Sequence, residues 1–309
     1  MNIFFRLIPV AVALCAAGIT GCASTRVAMS AQGNEAVSIP FTLSKQNNIV
    51  VEVRINDSHI VHLMLHSASS DVTLTEEAVR RLGDIALGND AKIQSWGGTS
   101  DSRYSTGNRM RIGPLTRDGV TLWENRNSGE GTDGKFGLDF FGDAVVEIDY
   151  DSGRIVVHDR LPDKARDYQS LAIENEDGEL YVEGLCLFGD ETRANRFLIH
   201  SGYAGGLLLD DAFAASSGID GRIAITETSR LTDSYGHVIE VKKGVMPGFS
   251  LGRLTLSDVP VGFFSGRIGN QDKSVLGGAI LKRFNLIFDL GRKKLYLRPR
   301  GTQGSQRPA

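Results

Sequence analysis

Two short segments carry the histidines of this chain that are best placed for acid–base chemistry. The segments LMLHSASSD (63–71) and FLIHSGYAG (197–205) each end an apolar run with His-Ser and small residues. The ring of a histidine gains or loses a proton near neutral pH, so His66 and His200 are candidate proton donors and acceptors. The repetition suggests that one local structure is built twice in the same chain.

A serine follows each of these histidines, which raises the possibility of a Ser-His nucleophile. Ser67 and Ser201 are direct neighbours of the two histidines, and neighbours on an extended chain point to opposite faces. The chain also has no G-x-S-x-G segment, the turn that presents such a serine in many hydrolases. The sequence therefore argues against a serine nucleophile.

The repetition extends well beyond the His-Ser segments. GKFGLDFFGDAVVEIDYDSGRIVV (134–157) aligns with SVLGGAILKRFNLIFDLGRKKLYL (274–297), and Gly137 precedes Asp149 by the same interval that separates Gly277 from Asp289. Two copies indicate two similar lobes, because a solenoid needs at least three repeats.

Short runs of alternating apolar residues dominate the chain and predict a mostly β fold. Helices are predicted only for LTEEAVRRLG and LDDAFAASSG, which begin with acidic residues and end near glycine. Asp149 and Asp289 each precede a bend and are interpreted as turn residues. We expect a first lobe over 38–160, a polar linker over 161–170, a second lobe over 171–300 and a tail over 301–309.

These features together resemble the aspartic protease superfamily, in its two-lobed, retropepsin-like bacterial form. Each lobe of that family carries an apolar strand that leads into Asp-Thr/Ser-Gly, and a later hydrophobic-hydrophobic-Gly segment. The two His-Ser segments stand where these turns belong, and KFG (135–137) and VLG (275–277) match the later segments. The resemblance covers nearly all of residues 38–298 and implies two β-barrel lobes with a cleft between them.

The chain departs from the family at the residues that do its chemistry. By the resemblance, His66 and His200 replace the two catalytic aspartates, while Ser67 and Ser201 match the residues that brace the two turns. Ala68 also replaces a glycine of the family. Two close carboxylates share one proton, so that the charged one activates water and the protonated one binds the substrate carbonyl. With both acids replaced, we expect peptide hydrolysis by this route to be absent.

Three interpretations of the histidine pair remain open. The preferred one is a non-catalytic module that still binds an extended peptide or protein in the cleft, because strand-like pairing needs no acids. The second is an atypical hydrolase in which His66 and His200 do the acid–base work. The third is a metal site in which His237 joins the pair, although no tight metal-binding spacing is present. We expect no cofactor.

Two glycine-bearing loops are further candidates for binding. SWGGTSDSRYSTG (95–107) lies where the family carries its flap, and there Trp96, Gly97 and Gly98 would offer an aromatic surface on a hinge. In the second lobe, Tyr235 and Gly236 stand on the corresponding loop.

The first residues predict export and a lipid anchor. Residues 1–21 hold an apolar run shorter than a typical membrane-spanning helix, and they end in ITG before Cys22. ITGC resembles the lipobox of bacterial lipoproteins, which implies acylation of Cys22, for example with palmitate, and a flexible tether over 22–37. We therefore expect a lipid-anchored protein of the bacterial cell envelope, facing the periplasm from the outer membrane.

Composition limits the remaining partners. The 309 residues carry a net charge of −3, with 41% hydrophobic and 23% charged residues, which is typical of a globular protein. Because no lysine and arginine stripe is present to neutralise phosphates, we expect no nucleic acid partner. Cys186 alternates with apolar residues in LYVEGLCLF, which predicts a buried thiol.

Overall fold

The computed structural model describes residues 36–57, 59–95, 98–129, 131–264 and 271–301. The predicted signal peptide, Cys22, most of the tether, Trp96 and Gly97 lie outside these described residues. No helix within the described ranges is long and apolar enough to cross a membrane.

The first half of the chain contributes eleven strands and one α-helix among the described residues. They are β1 (Val37–Pro40), β2 (Thr42–Leu43), β3 (Ile49–Ile55), β4 (His59–Leu65), β5 (Val72–Thr75), α1 (Glu76–Leu82), β6 (Asn89–Ser95), β7 (Gly98–Ile112), β8 (Leu115–Asn125), β9 (Gly134–Phe136), β10 (Val145–Asp149) and β11 (Arg154–His158). A short 3-10 helix, Leu138–Phe141, follows β9.

The second half repeats this order. Its elements are β12 (Gln169–Ala172), β13 (Glu174–Glu176), β14 (Glu179–Phe188), β15 (Glu191–His200), β16 (Leu207–Leu209), α2 (Asp211–Ser217), β17 (Ile225–Thr232), β18 (Val238–Leu251), β19 (Leu254–Phe264), β20 (Ser274–Gly277), α3 (Gly278–Leu281), β21 (Phe284–Asp289) and β22 (Lys294–Pro299). Two further 3-10 helices span Asp163–Asp167 and Ile219–Gly221.

Each half builds an eight-stranded sheet with the same strand order. The first sheet runs β2-β3-β4-β9-β5-β8-β7-β6, and the second runs β13-β14-β15-β20-β16-β19-β18-β17. Each sheet also closes on itself through one extra pairing, β3 with β7 and β14 with β18. The mostly β fold with two similar barrel-like lobes, predicted from the internal repeat, is therefore confirmed.

A third sheet joins the two halves. Its order is β1-β11-β10-β21-β22-β12, so strands from the first half pair directly with strands from the second. The central pairing places Glu147 of β10 opposite Ile287 of β21. The segment interpreted as a linker, 161–170, contains a 3-10 helix and the start of β12, and β1 begins at Val37.

Local sequence explains these elements. Strand β3 alternates buried and more exposed residues, with Ile49, Val51, Val53 and Ile55 in the core. Helix α1 begins where the Thr75 hydroxyl accepts the N–H of Ala78, and it ends at a left-handed glycine. Such caps satisfy backbone groups that a short helix cannot satisfy internally.

The bends and the cysteine behave as the sequence predicts. The carboxylate of Asp149 accepts the N–H groups of Asp151 and Ser152, and that of Asp289 accepts the N–H of Arg292. Cys186 is fully buried in β14, and burial raises the pKa of its thiol to about 12.

Candidate functional site

Parallel strand pairs hold the two His-Ser turns at equivalent places. Strand β4 pairs with β9, and β15 pairs with β20, so each turn leaves its strand beside a hydrophobic-Gly segment. The carbonyl of His66 accepts the N–H of Ser69, and that of His200 accepts the N–H of Tyr203, both at 3.1 Å. The two turns therefore share one backbone geometry.

The two serines hold the turns together by reciprocal hydrogen bonds. The Ser67 hydroxyl donates to the carbonyl of Ile199 at 2.7 Å and accepts the N–H of Ser201 at 3.0 Å. The Ser201 hydroxyl donates to the carbonyl of Leu65 at 2.6 Å and accepts the N–H of Ser67 at 3.0 Å. Both serines are buried, so these four bonds lie away from water at the lobe junction.

The histidine rings meet at the same junction. Their centroids are 4.4 Å apart with the ring planes tilted by 58°, and each residue is only 8% exposed. The Nδ1 atom of His66 is buried and has no hydrogen-bond partner among the described residues. A Cβ at Gly202 would come within 2.2 Å of the His66 ring, so glycine is required there for the ring to fit.

Both imidazoles are held in the neutral form. Burial is the main cause, and it lowers the pKa of His200 to about 3 and the pKa of His66 well below its usual value. The positive charge of Lys135 lowers both pKa values further, and His200 itself adds to the effect on His66. Two protonated rings this close together would also repel each other, which disfavours the charged form of both.

Lys135 is the site residue that the sequence analysis did not single out. It lies in β9 between two buried residues, and burial lowers the pKa of its amine to about 8, against the opposing charges of Asp71 and Asp233. Its amine donates to the hydroxyl of Ser234 at 3.1 Å. The internal repeat offered a signal, because the matching residue of VLG is Val275 and a lysine there breaks the symmetry.

The turn between β17 and β18 reaches across from the second lobe to the first. The carbonyl of Ser234 accepts the N–H groups of Arg126 and Asn127 at 3.0 and 3.1 Å. The carbonyl of Tyr235 accepts a further hydrogen bond from the guanidinium of Arg126 at 3.5 Å, which ties the turn to the first lobe. The loop that carries Tyr235 and Gly236 therefore lies against first-lobe residues.

His237 is hydrogen-bonded to Asp233 within that same turn. Its Nδ1 lies 2.9 Å from a carboxylate oxygen of Asp233, and its N–H donates to the other oxygen at 2.9 Å. Gly236 adopts a φ of 94°, which favours glycine. No group of three or more His, Cys, Asp or Glu side chains is arranged to hold a metal in the described part of the chain.

A cavity of about 710 Å³ opens between the lobes next to this site. Its lining includes Ala68, Asp71, Trp123, Lys135 and Tyr235, and neither imidazole is among the lining residues. Gly98 begins β7 on the hairpin predicted as a flap. The space available to a ligand is therefore beside the histidine pair, and Lys135 connects the two because it lines the cavity and acts on both rings.

Comparison with known proteins agrees with this geometry. Residues 51–140 match the family model described as aspartyl protease. The structure is similar to that of the aspartic proteinase from Irpex lacteus, with a TM-score of 0.56 and 15% sequence identity over 88% of this chain and 99% of that chain. No curated protein sequence matches the chain. The resemblance to the aspartic protease superfamily, drawn from the repeated turns, is confirmed.

Proposed function

We propose that this chain, which has the fold of the aspartic protease superfamily, is a non-hydrolytic module that binds an extended peptide or protein segment in its cleft. In this proposal His66 and His200 take the positions of the family's two acids, and the serine bonds keep the turns in place. The single observation that carries the proposal is a buried, neutral pair of imidazoles at the lobe junction.

The chemistry of the pair argues against water activation. An acid couple supplies one negative charge and one shared proton, and both are needed at the start of hydrolysis. A neutral imidazole that takes a proton from water would become a cation in a buried site beside Lys135. The lowered pKa values mean that this cation is unfavourable. We therefore favour binding over the atypical hydrolase.

The metal interpretation is less well supported for a separate reason. A zinc site with catalytic geometry needs three protein ligands, and the pair supplies two. His237 is already engaged with Asp233 through its Nδ1. Elemental analysis of protein purified without chelator tests this alternative, and near-stoichiometric zinc that is lost in His200→Ala would favour it.

Binding, by contrast, draws support from the cleft. The cavity lies between the lobes and contains polar and aromatic side chains from both, among them Trp123 and Tyr235. Strand pairing and side pockets can hold an extended peptide without any catalytic group.

Proteolysis assays test the absence of hydrolysis. We expect purified protein to leave unfolded casein intact from pH 3 to pH 8, as judged by mass spectrometry of new peptide ends, with or without a pepstatin-type inhibitor. His62→Ala, at an exposed histidine, serves as the matched control for His66→Ala. Cleavage that persists in the control and disappears in His66→Ala would contradict the proposal and favour the hydrolase.

We further propose that the protein is a lipoprotein of the bacterial envelope, anchored through Cys22 and facing the periplasm from the outer membrane. The support is the ITGC segment after an apolar run. Metabolic labelling with radioactive palmitate in a Gram-negative host, compared between wild type and Cys22→Ala, tests it. Label in the variant, or no label in the wild type, would contradict the anchor.

A further inference from the structure

We propose that the first-lobe side of the cleft binds a single carboxylate, with Lys135 as its cationic partner. This inference rests on the proposed function, because the carboxylate would belong to the bound peptide segment, as an acidic side chain or as its C-terminus.

The second lobe fills the space that is equivalent to this part of the cleft. Tyr203 follows the His-Ser turn and packs with Leu208, Val241 and Val275 in a separate apolar cluster. Each of these residues is at most 8% exposed. A Cβ at Gly205 would come within 2.5 Å of the Tyr203 ring, which shows how closely this space is packed.

The first lobe carries small or polar residues at the matching places. Ser69 stands where the second lobe has its tyrosine, and Thr73 pairs opposite Lys135 as Leu208 pairs opposite Val275. Ser69, Thr73 and Lys135 all line the cavity. The cavity is therefore open in the lobe where polar residues replace the apolar cluster, and Lys135 replaces a valine in it.

The charge of Lys135 has no direct counter-ion. Its amine donates to the hydroxyl of Ser234, and no carboxylate among the described residues lies within 4.0 Å of it. The charges of Asp71 and Asp233 act on it only partly, since burial dominates and its pKa falls to about 8. An ammonium group that is largely removed from water and unpaired is costly, and a ligand carboxylate would offset that cost.

The other cations of the cavity are already paired. Arg196 bonds to Glu174 and Glu176, and the amine of Lys273 lies 2.8 Å from Glu179. Lys135 is therefore the cavity cation, within the described ranges, that is available for a ligand anion.

The surrounding charges limit the ligand to one carboxylate. Five acidic residues line the same cavity; Glu176 and Glu179 are paired with Arg196 and Lys273, whereas Asp71, Asp177 and Asp272 form no salt bridge among the described residues. A segment with several acidic groups would be repelled by these residues, because like charges at close range disfavour binding. The geometry therefore favours one anionic group placed at Lys135 within an otherwise uncharged or basic segment.

A peptide library with free C-termini tests this inference on the full chain in detergent. A random decapeptide library made by solid-phase synthesis is incubated with the immobilised protein at pH 7, and the retained peptides are sequenced by mass spectrometry. The selected peptides are then resynthesised with each Asp or Glu changed to Asn or Gln, and separately with an amidated C-terminus. We expect one of these changes to weaken binding roughly 30-fold or more, as measured by fluorescence anisotropy. Which change does so identifies the source of the carboxylate.

Two lysine variants complete the test. Lys135→Met should bind the unmodified peptides roughly 30-fold more weakly and should lose the difference between carboxylate and amide forms. Lys243→Met, at a surface lysine paired with Glu227, should bind like the wild type. Circular dichroism checks that both variants are folded.

The outcomes separate the two proposals. Selected peptides without carboxylate dependence, or a carboxylate dependence that survives in Lys135→Met, would overturn this inference and leave peptide binding intact. If no peptide is enriched over a bead control, the proposed binding function is contradicted, and the carboxylate site is contradicted with it.

Discussion

At the residue scale, the two imidazoles couple the stability of the protein to pH. Their pKa values in the folded protein lie below the ordinary value of 6.5 that applies when the chain unfolds. The unfolded chain therefore binds more protons in acid, and stability is lost as the pH falls below about 6.5. This loss is a direct consequence of burying two neutral rings together.

We predict that His200→Gln reduces this pH dependence. Between pH 6 and pH 4.5, removal of one buried imidazole should lower the slope of unfolding free energy by about 1.4 kcal/mol per pH unit. Urea unfolding at several pH values measures the slope. Ser152→Ala, at an exposed residue without a titratable side chain, is the control and should leave the slope unchanged. Equal slopes in the two variants would contradict neutral burial of the pair.

Lys135 gives a second prediction about stability, whose pH dependence falls at alkaline rather than acid pH. Its pKa of about 8 in the folded protein lies below the ordinary 10.5, so the charged amine destabilises the fold at every pH below about 8. Lys135→Met should raise the free energy of unfolding at pH 7 by an amount on the order of 3 kcal/mol. This gain should disappear as the pH rises from 8 to 10.5, because the unfolded wild type then loses its proton too.

The control for this prediction is Lys243→Met, which removes a partly exposed lysine paired with Glu227 and should change stability little. A Lys135→Met protein that is less stable than the wild type at pH 7 would mean that its amine is compensated in the fold.

The sequence was informative about some of these residues and silent about others. His66 and His200 could be paired because each follows an apolar strand at the same place in a repeat. The repeat marks Lys135 as a departure, because Val275 stands at the matching position, but the lowered pKa of Lys135 could not be predicted, since it depends on burial and on the charges of residues distant in the sequence. Those depend on how strands far apart in the chain are brought together.

At the element scale, the β17–β18 turn is held over the first lobe by a few backbone bonds. Asp233 organises the turn by accepting N–H groups from Tyr235 and His237. Such local contacts are weaker than a packed core, so this turn should be among the first parts of the cleft to open.

We predict that Asp233→Ala loosens the contact between the lobes. The N–H groups of Arg126 and Asn127, which bond to the carbonyl of Ser234, should exchange with solvent roughly tenfold faster. Hydrogen exchange read by mass spectrometry measures this. Asp220→Ala, at an exposed acid of the same lobe, is the control. Unchanged exchange in Asp233→Ala would mean that the turn is held by other contacts.

The serine bonds between the turns form a second element-scale unit. Ser67→Ala and Ser201→Ala should each lower the free energy of unfolding by about 1–3 kcal/mol, because each leaves a buried N–H and a buried carbonyl unpaired. Their near-symmetry predicts similar costs, and a double variant should cost less than the sum.

Denaturant unfolding of the single and double variants measures these costs, with Ser152→Ala at an exposed bend as the control. Costs near zero, or a large difference between the two single variants, would contradict the reciprocal bonding.

Sequence patterns predicted many of the helices and strands, but not which of them contact each other in the fold. Helices α1 and α2 were predicted because their caps are local signals. The four-residue helix α3 lacks a side-chain cap and was not predicted. Contact of the β17–β18 turn with the first lobe was also beyond prediction, since nothing in the local sequence specifies a partner 100 residues away.

At the scale of the whole molecule, the six-stranded sheet makes the two lobes one body. Strands β10 and β21 pair at its centre, and one continuous core contains residues of both halves, such as Ile148 and Leu286. The repeat predicted two similar lobes, but it could not predict that their last hairpins pair with each other. In that pairing, strand β10 of the first half bonds to strand β21 of the second half, and the repeat alone does not specify which strand edges meet.

We predict a single unfolding transition for both lobes. Both tryptophans lie in the first half of the chain and report on it by fluorescence. In a chain carrying Cys15→Ser and Cys22→Ser, the buried thiol of Cys186 reports on the second half by its reactivity. The two probes should change at the same urea concentration. Thiol exposure at a clearly different concentration from the fluorescence change would mean that the lobes unfold separately.

The measurement that bears most directly on the central claim is a nitrogen NMR titration of histidine side chains. In protein labelled with 15N-histidine, we expect the resonances of His66 and His200, assigned by the single variants, to remain those of neutral rings from pH 8 to pH 5. A proton gained by His66 or His200 above pH 6 would contradict the account of a buried, neutral pair that does not activate water.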